Sequence, residues 1–252
     1  MKKNILSLLI LFLTGNFLNA QMTDVNKDEC CKGETGFVNV LMGPSIPIGN
    51  FADKSLNNSN AGFATVGSKM ELNAGIHLTP VVDANFKGFY SVNGFDINSY
   101  TNMLSQQTPG TVWKTAGRSY DIYGGMVGLS YAYPKLGKFV ADVKAMGGLM
   151  QISSSAFTVT NNVGESLSGN KFSATSFAYL FSVGGYYPVG DLIDLTGSFE
   201  YIGSKPAMQS NNFAFVTSPK SPTATNDVTT IGSNNRQDVS LLTFNLGVRL
   251  KF

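Results

Sequence analysis

The chain has 252 residues, of which 13% are charged and 12% are aromatic, and 27 are glycine. Soluble globular proteins carry about 25% charged residues, so the composition argues against an ordinary water-exposed domain. Lys and Arg number 18 and Asp and Glu 16, and this balance excludes the strongly basic surface of a nucleic-acid-binding domain.

The first twenty residues have the pattern of a secretory signal peptide. Lys2 and Lys3 precede an apolar run at 5–13 that is too short to span a bilayer as a helix, and Ala20 provides a small residue before the cleavage point. An uncleaved anchor helix is the alternative. Loss of residues 1–20 removes two lysines and no acid, which leaves 18 − 2 = 16 basic and 16 acidic residues.

Residues 21–35 are expected to form a flexible periplasmic segment that contains the adjacent Cys30 and Cys31. Adjacent cysteines cannot staple a fold by closing a loop, and a metal site needs further ligands at suitable spacing. We therefore expect no metal and no cofactor. A disulfide with a partner protein or a vicinal pair is the alternative for the two cysteines.

After residue 35, eight segments alternate apolar and polar residues with the two-residue period of a β-strand. The segments are 37–48, 69–78, 81–90, 120–133, a fifth that starts with 138–146, 176–187, 193–202 and 240–252. Their connections alternate in length: 79–80, 134–137 and 188–191 are short, whereas 49–62, 91–117, 153–172 and 203–237 are long. This alternation is typical of bacterial outer-membrane barrels, which have short periplasmic turns and long external loops.

The sequence therefore predicts an all-β fold at 36–252, a membrane-spanning up-and-down antiparallel β-barrel of eight strands. Ten strands are the alternative, because the connection at 91–117 or the one at 203–237 could hold another hairpin, with 111–115 and 214–218 as the candidate strands. A secreted β-sandwich would need Lys and Glu on its water-facing side, where this chain has Gly, Ser, Asn and Thr. Aromatic residues at strand ends predict two interfacial girdles, with Tyr131, Tyr133, Tyr186, Tyr187 and Phe252 on the periplasmic side and Phe89, Tyr90, Tyr120, Tyr123 and Tyr201 on the outer side.

The polar face of each strand is predicted to point into a lumen just wide enough for side chains to fill. The charged residues and the histidine of this face are Lys69, Glu71, His77, Asp83, Lys87, Asp142, Lys144, Asp194, Glu200, Arg249 and Lys251. Pairing around the turn at 79–80 would place His77 opposite Asp83 and Glu71 diagonal to Lys87. Buried charges need partners or water, so we expect a polar network that fills the lumen. A narrow ion path gated by the same pairs is the alternative.

Two stretches carry a resemblance to a known family. The segment "GPSIPIGNFAD" (43–53) resembles the exit from the first strand of small outer-membrane β-barrel proteins of Gram-negative bacteria, and "TFNLGVRLKF" (243–252) resembles their last strand. These are the porin-family, OmpA-like and OmpW-like barrels. The resemblance implies residence in the cell outer membrane, contact with its lipid, and recognition of Phe252 by the barrel-assembly machinery. Since the chain stops at Phe252, we expect no appended peptidoglycan-binding domain.

The motifs of common enzyme classes are absent from the sequence. No G-x-S-x-G, H-E-x-x-H or Walker pattern occurs, and His77 is the single histidine. We therefore expect no enzyme, but a barrel with a structural or surface-interaction role whose polar loops are displayed outside. A narrow porin-like channel for small solutes or ions is the alternative, and a barrel enzyme is a third hypothesis. An external ligand could bind the loop at 203–237 or the loop that carries Trp113.

Overall fold

A computed structural model describes residues 35–55, 58, 60–107, 110, 112–115, 119–133, 138–155, 157–162, 166–169, 171–207, 214–216 and 236–252. Four sequence predictions fall outside these ranges: the signal peptide, the segment with Cys30 and Cys31, the turn at 134–137 and most of the loop at 203–237. The strands in chain order are β1 (Gly36–Ile48), β2 (Gly67–Thr79), β3 (Val82–Gly94), β4 (Trp113–Thr115), β5 (Ser119–Ala132), β6 (Val140–Ser154), β7 (Phe157–Asn161), β8 (Ser166–Gly169), β9 (Phe172–Pro188), β10 (Ile193–Ser204), β11 (Ala214–Val216) and β12 (Val239–Lys251).

The eight long strands form a closed antiparallel barrel in the order β1-β12-β10-β9-β6-β5-β3-β2. The last strand, β12, pairs with β1 from Phe37 opposite Lys251 to Ile48 opposite Ser240, so the barrel has no open edge. The predicted all-β fold with eight barrel strands is confirmed. We call the end that holds the links at 79–82 and 188–193 the short-turn end, and the opposite end the long-loop end.

The four short strands form a second antiparallel sheet in the order β11-β8-β7-β4, which we call the loop sheet. It is built from three different long connections, and it contains both segments that had suggested a ten-stranded barrel. That alternative is wrong for a physical reason. Strands of three residues, such as β4 and β11, extend about 10 Å, whereas the apolar band of a membrane barrel is about 25 Å tall.

One connection also contains helix α1 (Ile97–Gln107), and another begins with a 3-10 turn at Gly49–Phe51. Asp96 precedes α1 and caps it, since its carboxylate accepts a hydrogen bond from the Ser99 backbone N–H at 3.0 Å. Among the described residues, no helix is long and apolar enough to cross a membrane.

The outer wall of the barrel is covered by large apolar side chains that are exposed on every strand. Representative residues from the eight barrel strands are Met42, Leu72, Phe86, Val127, Leu149, Phe181, Phe199 and Leu246, each 50% or more exposed. An apolar surface that surrounds the whole molecule is far larger than a soluble monomer tolerates. A closed barrel also satisfies its backbone hydrogen bonds internally, so this wall faces lipid and the barrel spans a membrane.

Several strands extend further toward the long-loop end than the alternation predicted. Strand β3 continues to Gly94 rather than residue 90, and β6 continues to Ser154, two residues into the connection expected at 153–172. In this part of β6 the inward Met150 and Ile152 are apolar, whereas the outward Gln151 and Ser153 are polar. The apolar face of the alternation therefore changes from outward to inward, and the phase that marks a lipid-facing strand does not continue.

Three aromatic residues predicted for the girdles lie inside the barrel instead. Phe89 and Tyr120 are buried, and the Tyr186 ring stacks on a lumen arginine. Neighbouring residues of a strand point to opposite faces, so Phe89 and Tyr90 cannot both face lipid. The outward members are Tyr90, Tyr123 and Tyr201 near the long-loop end and Tyr131, Tyr133, Tyr187 and Phe252 near the short-turn end.

Candidate functional site in the barrel lumen

Four charged side chains form a closed cycle in the middle of the lumen, which we call the charged ring. Lys69 Nζ lies 2.5 Å from Glu71 Oε2, and Lys87 Nζ lies 3.0 Å from Glu71 Oε1. Both lysines also contact Glu200 across the barrel, each on a different carboxylate oxygen. All four side chains are at most 1% exposed. The ring is electrically neutral and each charge has two partners of opposite sign.

The strand register explains why these residues meet. Lys69 and Glu71 are two residues apart on β2 and share its inner face, while Lys87 on β3 lies diagonal to Glu71 because its direct partner is Asn73. Glu200 approaches from β10 because the barrel is narrow. An unpaired buried charge costs several kcal/mol, so the double pairing is what makes this cluster compatible with burial.

Apolar side chains fill the lumen between the charged ring and the long-loop end, and we call this group the apolar layer. Its members from the barrel strands are Phe89, Tyr120, Ile122, Met126, Met146, Met150, Ile152, Phe172, Ala178, Leu180, Ile202, Val239 and Leu241. The sequence predicted a polar lumen and missed this layer. The available signal was a run of Leu, Ile and Met at inward positions of the alternation, such as Ile122, Leu180 and Ile202.

The first long loop folds back over this layer and caps it. Phe51 is fully buried against Tyr120, with ring centroids 5.1 Å apart, and the Tyr120 hydroxyl donates a hydrogen bond to the Gly62 carbonyl at 2.7 Å. Where the loop turns back toward the barrel, Phe63 has a φ of 53°. This is a left-handed backbone conformation, which costs energy in a residue other than glycine.

An ion pair ties this cap to helix α1. Lys54 Nζ lies 2.5 Å from Asp96 Oδ2. Hydrogen bonds from Lys54 and from the Ser99 backbone N–H lower the pKa of Asp96 from its ordinary value of 3.8 to about 2. The cap is therefore held by a carboxylate that stays ionised at any ordinary pH.

Hydrogen-bonded polar side chains occupy the lumen on the short-turn side of the charged ring. Asn73 donates to Asn85 at 3.2 Å, Asn85 donates to Ser130 at 2.8 Å, and Ser130 donates to Asp83 at 3.0 Å. His77 Nδ1 approaches the other oxygen of Asp83 at 2.6 Å. Ser130 and His77 thus both bind the carboxylate, and this differs from the serine–histidine hydrogen bond of an activated nucleophile.

Arg249 closes the lumen at the short-turn end. Its guanidinium carbon lies 3.7 Å from the centroid of the Phe37 ring and 4.0 Å from that of Tyr186, so the cation is stacked between two aromatic faces. Asp194 Oδ2 lies 3.8 Å from Arg249 Nε, and Lys251 Nζ lies 3.3 Å from Asp194 Oδ1.

The structure thus places every charged residue of the predicted polar face inside the barrel, but in separate groups. Apart from the ring, the groups are His77 with Asp83, Asp142 with Lys144 at 3.1 Å, and Asp194 with Arg249 and Lys251. Within the described ranges, no group of three or more His, Cys, Asp and Glu side chains could hold a metal ion.

Trp113 packs in the interior of the long loops, beside the loop sheet. Trp113 on β4 and Val159 on β7 are buried together, and Tyr100 and Leu104 of α1 pack against them. The indole is 5% exposed, so it is not displayed as a binding residue. This cluster gives the long loops a small core of their own.

No protein-family model and no curated protein matches the chain. Among solved structures, Neisserial surface protein A has 15% identity over 86% of this chain and 97% of its own, with a TM-score of 0.45. Ail, the attachment invasion locus protein of Yersinia pestis, has 13% identity over 86% and 99% of the two chains, with a TM-score of 0.43. A major outer membrane protein from Thermus thermophilus has 13% identity over 86% and 99%, with a TM-score of 0.45. Similarities of this size say nothing about a shared role or ligand.

Proposed function

We propose that this protein is an integral barrel of the outer membrane with a structural or surface-interaction role, whose long loops form a folded platform outside the cell. The observation that carries the proposal is the filled lumen. The apolar layer, the charged ring and the stacked Arg249 occupy successive levels of the barrel. A filled interior blocks the passage of solutes, whereas an organised loop sheet can present a surface to a partner. These two features favour a surface role over transport.

Conductance in planar bilayers tests the closed lumen. We expect the wild-type protein to give no discrete current steps, since three levels of side chains must move before ions pass. The matched variant is Lys69→Ala with Glu200→Ala, which removes one charge of each sign from the ring and leaves Lys87 paired with Glu71. This variant is also expected to be silent, because the apolar layer remains. Regular steps from the wild-type protein would contradict the proposal.

A narrow channel is the second candidate, and one observation favours it. Side-chain oxygens of Asn39, Asn73 and Asn245 are buried on the short-turn side of the ring without a hydrogen-bond partner among the described residues. Such acceptors are available to water or to a small cation. Conductance from the wild-type protein that disappears on exchange of these asparagines for leucine would favour the channel.

Surface labelling tests the orientation. In a background with Cys30→Ser and Cys31→Ser, a cysteine is introduced in place of Lys114 on the loop sheet or Asp191 in a short turn, both exposed. A membrane-impermeant maleimide added to intact cells should label the variant at 114 and spare the one at 191. The reverse pattern would show that the loops face the periplasm.

Phe252 is the residue we propose as the assembly signal. Its backbone closes the seam, because Gly36 N–H donates to Phe252 O at 3.1 Å and Phe252 N–H donates to Gly36 O at 3.1 Å. Its ring is 60% exposed on the outer wall, where an assembly factor can contact it. Phe252→Ser keeps the backbone bonds, so it should lower the amount of folded barrel in cells while the purified variant still refolds in detergent. A loss of both would indicate a purely structural role.

A further inference from the structure

Two clefts lie side by side on the outer wall at the long-loop end. One has a volume of about 420 Å³ and the other about 330 Å³, and Tyr179, Ser204 and Lys205 line both. They extend across β9 and β10 toward β12, directly beyond the apolar wall. We call the pair the rim cleft. Its level is the boundary between the surface that faces lipid and the loops.

The floor of the rim cleft is aromatic. Phe177 is 65% exposed, and the Tyr179 ring covers Gly203, where a Cβ atom would come within 2.5 Å of the ring. Tyr201 continues this surface, with its ring centroid 6.0 Å from that of Tyr179. Gly203 therefore makes room for the Tyr179 ring, and the aromatic surface at this boundary suits the sugar or glycerol part of a lipid headgroup.

The upper edge of the rim cleft is positively charged. Lys205 and Arg236 line it, and Lys205 is held by an ion pair of 3.1 Å with Asp238. Among the described residues of this edge, two cations and one carboxylate leave one net positive charge. The Lys205 side chain remains 69% exposed despite its pairing, so its ammonium group can donate a hydrogen bond to a second partner.

We propose that the rim cleft binds the phosphate-bearing headgroup of a lipid in the outer leaflet. The phosphate contacts Lys205 and Arg236, the headgroup lies on Tyr179, and the acyl chains follow Phe177 and the apolar wall below. Charge complementarity and the direct continuity with the lipid-facing wall select a lipid as the occupant. A free anion would make no use of the aromatic floor. The inference rests on the proposed orientation, in which the long loops face outward.

Binding of lipid A to the purified full-length protein in uncharged detergent tests this inference. The probe is fluorescent diphosphoryl lipid A, and binding is followed by anisotropy. Lys205→Gln with Arg236→Gln should weaken binding about 25-fold, since each cation near a lipid surface contributes on the order of a factor of five. Lys114→Gln, which removes an exposed cation on the loop sheet, is the matched control and should bind as the wild type does. Heat-modifiable migration on a gel verifies that each variant is folded.

Two outcomes would overturn the inference. One is equal binding by the double variant and the wild type. The other is displacement of lipid A by inorganic phosphate at comparable concentration, which would show a free-anion site. A dephosphorylated lipid A is expected to bind at least tenfold more weakly. Binding in micelles does not depend on orientation, so a reversed barrel would fail the labelling test and still bind the probe. The two proposals can therefore fail separately.

Discussion

The two halves of the lumen use different physical means to close the same barrel. On the long-loop side, the apolar layer fills the space with aliphatic and aromatic side chains, and Phe51 packs over them. On the short-turn side, polar groups pair across the barrel, and some buried oxygens have no partner among the described residues. Close packing excludes water by shape, whereas a polar network holds together by specific pairs. The charged ring lies where the two halves meet.

This contrast has a consequence for which substitutions matter. In the apolar half, stability depends on volume, so a smaller apolar residue costs energy in proportion to the cavity it leaves. In the polar half, stability depends on partners, so removal of one member is worse than removal of both. The following variants test that difference, from the largest expected effect to the smallest.

Breaking the charged ring on one side should have the largest effect. Glu200→Gln leaves Lys69 and Lys87 with Glu71 as the single acid, so the ring acquires a buried positive charge. We expect the free energy of unfolding to fall by about 3–5 kcal/mol. Urea titration of the refolded barrel, followed by heat-modifiable migration on a gel, measures it.

The control for that variant adds Lys69→Met to Glu200→Gln, which restores neutrality. We expect the double variant to be more stable than Glu200→Gln alone, although it has lost one more native contact. If the double variant unfolds at lower urea than the single one, the ring is held by packing rather than by charge balance.

A cavity in the apolar half should have the next largest effect. Leu180 is fully buried in the apolar layer, whereas Leu246 is 57% exposed on the outer wall. Leu180→Ala should lower the free energy of unfolding by about 2–4 kcal/mol. Leu246→Ala should lower it by about 1 kcal/mol or less, because lipid tails fill the space. Equal losses at the two leucines would mean that the apolar layer is not closely packed.

Replacement of Arg249, the stacked cation at the short-turn end, should have a smaller effect on stability. Arg249→Lys keeps the charge near Asp194 but loses the flat guanidinium that lies between Phe37 and Tyr186. We expect a loss of about 1 kcal/mol in the free energy of unfolding. Lys251→Arg, two residues further along β12, is the control and should change stability little. If Lys251→Arg lowers the free energy of unfolding as much as Arg249→Lys does, the loss comes from a disturbed strand β12 rather than from lost stacking.

The sequence was sufficient to predict the barrel but not the composition of its lumen. The strand number and the inward charges follow from two-residue alternation and loop lengths, because one face of each strand is polar over its short-turn half. On β6 the pattern is inverted in the apolar layer, where Met150 and Ile152 lie inward and the outward Gln151 and Ser153 are polar, so an interpretation that assigns every apolar face to lipid misses this layer. The loop sheet was unpredictable because three residues, as in β4, hold too little periodicity and pair with strands far away in the chain. The stacking of Arg249 depends on Phe37 and Tyr186, which meet only after the barrel closes.

The smallest expected effect is a pH dependence confined to the cap over the apolar half. The pKa of Asp96 is lower in the folded protein than its ordinary value of 3.8, so the pair with Lys54 stabilises the cap above that value. This contribution is lost as the pH falls toward about 2, where the folded carboxyl takes up a proton. Limited proteolysis of the first long loop by pepsin should therefore speed up between pH 4 and roughly pH 2, relative to Asp96→Asn, which lacks the pair throughout. Because the Lys54 side chain is half exposed, the effect should stay well below that of the charged ring. An equally steep pH dependence in Asp96→Asn would assign it to another group.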